Sequence, residues 1–129
     1  MQAVIGQEQM KKLPGRIERK RAIYRRYQAG LAGVDGLQLF KQDITNTVPW
    51  FYDSLSEDRS ALQAHLKAAN IGTRVMYPPI NQQVAYQVIG HHPVSELVGE
   101  KGLWLPSAVQ LTDADVDRIT AAIRGFYGS

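Results

Sequence analysis

Apolar residues recur every three or four positions in the first part of the chain. The strongest of them are Met10, Leu13, Ile17, Tyr24, Tyr27 and Leu31. This spacing predicts one long amphipathic helix over residues 2–32. Pro14 and Gly15 lie inside it. Because a proline in a helix interior removes a backbone hydrogen bond, we expect the helix to bend or break there.

The rest of the chain combines short apolar runs with further amphipathic segments. Four runs predict strands, at residues 37–40, 48–55, 73–77 and 103–105. Pro49 indicates a sheet edge or a strand start. Three more helices are predicted: one from a cap at Ser56 or Asp58 to Ala69, one around residues 94–99, and one that Thr112 caps. Residues 78–92 predict an ordered loop with a helical turn at 82–86.

The order of these elements indicates the fold class. Strands and helices do not alternate strictly, which favours an α+β fold. We expect a small, mostly antiparallel sheet with flanking helices on one face, preceded by the long N-terminal helix.

Composition narrows the possible classes of protein. A chain of 129 residues suits a single domain with one core. It has no cysteine, which excludes disulfides, thiolate metal sites and a cysteine nucleophile. No window approaches the roughly 18 consecutive apolar residues of a membrane span, and the first residues lack the order of a secretory signal. We therefore expect a cytoplasmic protein that has no membrane contact.

Charge is distributed unevenly along the chain. The net charge of +3 combines +6 within residues 1–32 with −3 over the remaining 97 residues. The basic stretch is the predicted helix between residues 11 and 26. Clustered Lys and Arg attract anions, so this stretch could bind nucleic acid or an acidic partner. A solvated helix face explains the same pattern equally well.

Catalytic and metal-binding motifs are not found. The sequence lacks the hydrolase GxSxG, the phosphate-binding GxxxxGK[ST], the zinc HExxH and the dinucleotide-binding GxGxxG patterns. His91 and His92 are adjacent, but no further ligand stands at a supporting spacing. We predict no catalytic residue and no metal site.

The stretch "TRVMYPPINQQVAY", residues 73–86, is the best candidate for a binding site. Its polar side chains are Arg74, Tyr77, Asn81, Gln82, Gln83 and Tyr86. One fixed charge with hydroxyl and amide groups suits sugars or phosphates, and Pro78 and Pro79 lower the ordering cost of binding. The alternative is that the carboxamides satisfy backbone groups of the loop itself. Composition alone leaves both interpretations open.

Four blocks of the sequence carry a family resemblance. They are "QAVIGQEQMKKLPGRIERKRAIYRRYQAGL", "DRSALQAHLKAANIGTR", "YPPINQQVAY" and "LWLPSAVQLTDADVDRITAAIRGFY". In this order the blocks resemble the C-terminal part of the DegT/StrS-type nucleotide-sugar aminotransferases, in particular the perosamine-synthase-like branch. The resemblance covers essentially the whole chain.

The resemblance implies a particular division of the protein. It implies the small domain of a fold type I aminotransferase, in which residues 1–32 form a linking helix and residues 37–129 the α+β small domain. Family members hold pyridoxal phosphate through a lysine and an aspartate of a large N-terminal domain, and no part of this chain matches that domain. It therefore implies no cofactor site, and no transaminase activity, for this chain alone.

The resemblance also assigns substrate contacts to the loop. In the family the matching loop lies at the mouth of the active site and helps to bind the sugar nucleotide. Tyr77, Gln83 and Tyr86 match its pattern, and Asn81 stands where a histidine often stands. Arg74 follows the Ile-Gly-Thr turn, as in many relatives, and could face a phosphate or a carboxylate.

Three hypotheses follow from these observations. The favoured one is an inactive copy of the small domain that forms a homodimer or pairs with a separate large-domain chain. It includes the possibility of a split enzyme completed by that partner. A second is weak sugar-nucleotide binding through the loop. The third, nucleic-acid binding through residues 11–26, is less favoured because the matching family helix is often basic without such a function.

Overall fold

The computed structural model describes residues 2–86 and 90–128. Its first element is helix α1, Gln2–Gly30, which continues through Pro14 without interruption. Of the bend or break expected at Pro14 and Gly15, the break is therefore wrong. Side chains 2–16 are all exposed, so water can hydrogen-bond the Met10 carbonyl that Pro14 leaves without its helical donor.

Four strands form one sheet. They are β1 Leu37–Leu39, β2 Tyr52–Ser56, β3 Arg74–Val75 and β4 Gly102–Leu105. Their order is β1-β2-β4-β3, and every neighbouring pair is antiparallel. With its helices, this sheet confirms the α+β prediction. The predicted strand 48–55 began too early, because Pro49 has no N–H to donate to a ladder and pairing starts only at Tyr52.

Three further helices follow the predicted pattern with shifted ends. They are α2 Arg59–Ala68, α3 Pro93–Lys101 and α4 Asp113–Tyr127. Helix α4 begins with a capping box, in which Thr112 and Asp115 each bind the other's backbone N–H. Between β3 and α3 the chain makes two short 3-10 turns, Ile80–Gln82 and Val84–Tyr86. Residues 87–89 of the predicted loop lie outside the described part of the chain.

The core lies between one face of the sheet and three helices. Along β2, residues Tyr52, Ser54 and Ser56 are buried and alternate with partly exposed residues. Side chains of α1, α2 and α4 pack into the same cluster. Three tyrosines of this cluster pack against one another. The Tyr52 ring centroid lies 5.3 Å from that of Tyr27 and 6.1 Å from that of Tyr24. The helices thus hold the sheet in place, and the segments that extend from its other face and from its edge are anchored to it.

Within residues 2–86 and 90–128, no helix is both long enough and apolar enough to cross a membrane.

Candidate functional site

A groove lies between the segment that follows β3 and the first turn of α3. The groove has a volume of about 600 Å³. Its lining residues are Tyr77, Pro78, Pro79, Ile80, Asn81, Gln83, His92 and Ser95. We call this space the loop groove. The structure therefore brings three of the five predicted site residues together, namely Tyr77, Asn81 and Gln83.

Two close contacts hold the loop of residues 77–86, here called the site loop, in place. The backbone N–H of Met76 donates to the Gly102 carbonyl at 3.2 Å, which ties the end of β3 to β4. Pro79 packs directly on α3 at Gly99, where a Cβ atom would lie only 2.6 Å from the Pro79 Cδ. A side chain at Gly99 would therefore displace Pro79, which lines the loop groove.

Arg74 and Tyr86 lie outside the lining of the groove. The Arg74 guanidinium lies over the rings of Tyr77 and Trp104, 5.3 Å and 5.6 Å from their centroids. It also donates to the Tyr77 hydroxyl at 3.0 Å. Arg74 thus supports Tyr77 through a cation–π and hydrogen-bond contact. Tyr86 is 60% exposed and is not among the lining residues.

Aromatic contacts support Tyr77 from behind. Trp104 stacks on Phe51 with ring centroids 4.3 Å apart, and the rings of Tyr77 and Trp104 form an edge-to-face pair with centroids 5.2 Å apart. The Trp104 Nε1 donates to Asp53 Oδ1 at 2.7 Å, which fixes the indole. The groove therefore has one wall whose position is set by β4 and β2 rather than by the loop.

One polar contact supports the interpretation that the loop satisfies itself. Gln83 Nε2 donates to the Pro78 carbonyl at 2.9 Å, so this amide closes the loop on its own backbone. Asn81 behaves differently, because its amide Nδ2 donates to Glu96 Oε1 on α3 at 2.7 Å. The two carboxamides thus have different roles: Gln83 shapes the loop, and Asn81 joins it to the helix.

Sequence reasoning missed the contribution of α3 to the site. His92 and Ser95 line the groove, and Glu96 lies behind it. Hydrogen bonds from the His92 backbone N–H and then from Asn81 lower the pKa of Glu96. The available signal was local: a proline at the first helical position with a glutamate in the first turn marks a helix start. It did not indicate which loop the glutamate would meet.

The described residues do not fit pyridoxal phosphate. The cofactor needs a lysine for its Schiff base and a charged partner for its ring nitrogen. None of the lysines lines the loop groove. Burial lowers the pKa of Lys20, but its Nζ donates to the Trp50 carbonyl at 2.7 Å. Asp53 is already bound by Trp104 and by Gln42 Nε2, at 2.7 and 3.0 Å. We therefore assign no step of a pyridoxal phosphate reaction to these residues.

Metal ligands are not clustered in the part of the chain that is described. Across residues 2–86 and 90–128, no group of three or more histidine, cysteine, aspartate or glutamate residues could hold an ion.

Much of the positive charge on α1 is engaged within the protein. Arg26 binds both carboxylate oxygens of Asp117 at 2.6 Å and contacts Asp113 at 3.0 Å. Arg19 contacts Asp113 at 2.7 Å. Hydrogen bonds from Arg19 and Arg26, respectively, lower the pKa values of Asp113 and Asp117. These contacts dock α1 on α4 and leave fewer of its cations for an external anion.

The chain matches the model of the DegT/DnrJ/EryC1/StrS aminotransferase family over residues 1–124. This chain belongs to that family. The resemblance stated from the sequence is thus confirmed at the level of the family. The chain is 30% identical to the GDP-perosamine synthase of Escherichia coli O157:H7, over 97% of this chain and 35% of that protein.

Solved structures of related proteins have the same fold over this region. A DegT DnrJ EryC1 StrS aminotransferase from Brucella abortus is 34% identical with a TM-score of 0.84, over 95% of this chain and 34% of that one. DesV of S. venezuelae, solved in complex with a ketimine intermediate, is 27% identical with a TM-score of 0.90, over 99% of this chain and 36% of that one. The chain therefore spans about a third of the length of the relatives it matches.

Proposed function

We propose that this chain contributes the sugar-nucleotide contacts of a family aminotransferase and has no transaminase activity by itself. The observation that carries the proposal is the loop groove, which Tyr77 and Asn81 both line. The relative named GDP-perosamine synthase supports the choice of ligand class. By the resemblance, the cofactor residues belong to a large domain that this chain does not match.

The groove can recognise a sugar by hydrogen bonding and shape. It offers the phenol of Tyr77, the amide of Asn81 and the imidazole of His92, between walls made by Pro78 and Pro79. Because the prolines restrict the loop before binding, less ordering entropy is lost. A groove that is open on one side leaves much of the ligand in water, so we expect an affinity of roughly millimolar.

The absence of activity can be tested by absorbance. Purified chain is mixed with pyridoxal phosphate, glutamate and a keto-sugar nucleotide, and the spectrum and the 2-oxoglutarate formed are followed. We expect no turnover, and no borohydride-sensitive aldimine band beyond the band that pyridoxal phosphate gives with glutamate and with an unrelated lysine-containing protein, because no lysine lines the groove. The assay is repeated with a complete family aminotransferase as the positive control. Turnover by this chain above a no-protein blank would contradict the proposal.

Partners of the chain are a separate proposal. A large-domain chain or a second copy would meet the exposed N-terminal half of α1, where Val4, Ile5 and Met10 are each about 60% exposed. With a large-domain partner the chain would form half of a split aminotransferase. A cytoplasmic location stays a prediction from composition.

Nucleic-acid binding through residues 11–26 is the weaker alternative. Arg19 and Arg26 are held by Asp113 and Asp117, and Arg21 donates to Glu18 and to the Thr45 carbonyl. A surface that neutralises phosphates needs free cations, since affinity rises with the number of phosphates contacted. The ion pairs therefore count against this alternative.

A further inference from the structure

Glu96 connects the site loop to the start of α3. Its Oε1 accepts hydrogen bonds from Asn81 Nδ2 at 2.7 Å and from the His92 backbone N–H at 2.9 Å. Its Oε2 lies 2.8 Å from His91 Nδ1. Both carboxylate oxygens are thus in use, and the Glu96 side chain is only 22% exposed. A carboxylate held in this way has little freedom to rotate away from Asn81.

This contact orients the side-chain amide of Asn81, which lines the loop groove. An asparagine amide carries two N–H donors and one carbonyl acceptor. The Nδ2 donates to Glu96 Oε1 and lies 3.4 Å from a second acceptor, the Gly90 carbonyl. The flipped amide would place its oxygen 2.7 Å from a carboxylate oxygen, which is repulsive. The chemistry of Glu96 therefore fixes the orientation of the amide.

We propose that Glu96 is a positioning residue that makes Asn81 present its carbonyl oxygen, and hence a hydrogen-bond acceptor, to the loop groove. The group that binds at Asn81 is then a donor, a hydroxyl or a protonated amine. The diphosphate of a sugar nucleotide, or a carboxylate, is fully ionised at neutral pH, offers only acceptors and does not bind there. The inference rests on the proposed function for its ligand: the sugar hydroxyls of a sugar nucleotide meet Asn81, and its phosphates lie elsewhere.

The contact between Glu96 and Asn81 can be measured without a ligand. The side-chain amide of Asn81 is followed by ¹H–¹⁵N NMR, and its signals are assigned by their loss in Asn81→Ser. Glu96→Ala removes the acceptor, and we expect the water-exchange rate of the Asn81 amide protons to rise roughly tenfold, as hydrogen bonds to charged groups predict. Glu100→Ala is the matched control, because it removes an exposed glutamate from the same helix.

The outcomes separate clearly. Fast exchange in Glu96→Ala with wild-type exchange in Glu100→Ala supports the positioning role. Equal exchange in wild type and Glu96→Ala overturns it. A dispersed backbone spectrum shows that each variant is folded. If Glu96→Ala does not fold, Glu96→Gln replaces it: the loss of charge weakens the contact, so we expect an intermediate exchange rate, and an unchanged rate would overturn the role.

A second arm tests the donor requirement. Wild-type chain is titrated with GDP-mannose, which carries sugar hydroxyls, and with sulfate, an anion that has only hydrogen-bond acceptors. We expect GDP-mannose to shift the Asn81 side-chain amide and sulfate to leave it unchanged. A shift of this amide by sulfate would overturn the acceptor assignment. If neither compound shifts any residue of the loop groove, the proposed function fails, whereas the exchange result above still decides the role of Glu96.

Discussion

Replacing Tyr27 by alanine is expected to lower the free energy of unfolding by about 3–5 kcal/mol. Tyr27 is fully buried, and its ring packs 5.3 Å from that of Tyr52. Its hydroxyl donates to the Pro106 carbonyl at 3.0 Å. The substitution removes a large apolar volume from the centre of the core and also leaves that carbonyl without its donor. Urea denaturation followed by circular dichroism gives the change.

Two variants separate the causes of this loss. Tyr27→Phe keeps the ring and loses only the hydrogen bond to Pro106, so about 1 kcal/mol should be lost. Tyr86→Ala changes a tyrosine that is 60% exposed, and it should have little effect. If Tyr27→Ala were no more destabilising than Tyr86→Ala, the packing of α1 on the sheet described here would be wrong.

Gly102→Ala is expected to destabilise the chain by about 1–3 kcal/mol and to disturb the loop groove. Gly102 ends α3 and begins β4 without an intervening loop. A Cβ atom there would collide with the Val98 carbonyl and lie 2.6 Å from Met76 Sδ. The methionine side chain can move, but the carbonyl belongs to the last turn of α3. The helix that carries Glu96 would therefore shift against the sheet.

Gly125→Ala is the matched control for this substitution. A Cβ atom at Gly125 meets nothing within 4 Å, and the residue lies within α4. Alanine there should stabilise the helix by roughly 0.5–1 kcal/mol. Denaturation midpoints and the NMR signals of Asn81 report stability and groove geometry together. A Gly102→Ala protein as stable as Gly125→Ala would refute the tight junction between α3 and β4.

Local patterns predicted the helices well, because each has a periodic apolar face and residues that favour a helix start or a helix end. The predicted helix to Ala69 is α2, Arg59–Ala68, and the helix capped by Thr112 is α4. The break that was one of the two outcomes expected at Pro14 does not occur, because the side chains around it are exposed and water can reach the carbonyl that loses its donor. The free-energy cost of the lost hydrogen bond depends on whether water can reach the free carbonyl. A single sequence does not show which half of a long helix is exposed, because that depends on the elements that pack against it.

The strands were predicted less accurately, since their limits depend on pairing. The run 48–55 is rich in aromatic residues, yet only Tyr52–Ser56 finds partners in β1 and β4. The run 73–77 contributes only Arg74–Val75, because pairing with β4 stops after two residues. A strand's ends are set by its neighbours in the sheet, which the local pattern does not contain.

The site was predicted in part for the same reason. Residue types identified the loop, and Tyr77, Asn81 and Gln83 do meet in one groove. The sequence could not place Arg74 behind Tyr77, nor could it pair Asn81 with Glu96, fifteen residues further along the chain. Both facts depend on how α3 and β4 pack against the loop, which is a tertiary property.

Under the proposed function, this chain binds a sugar nucleotide through the loop groove without providing the cofactor chemistry. The most direct test is a ¹H–¹⁵N titration of the wild-type chain with GDP-mannose up to millimolar concentration. We expect backbone shifts at Tyr77, Asn81, Gln83 and Ser95, which line the groove, and unchanged signals along the basic part of α1. Shifts confined to α1, or no shifts at the highest ligand concentration, would contradict this proposal.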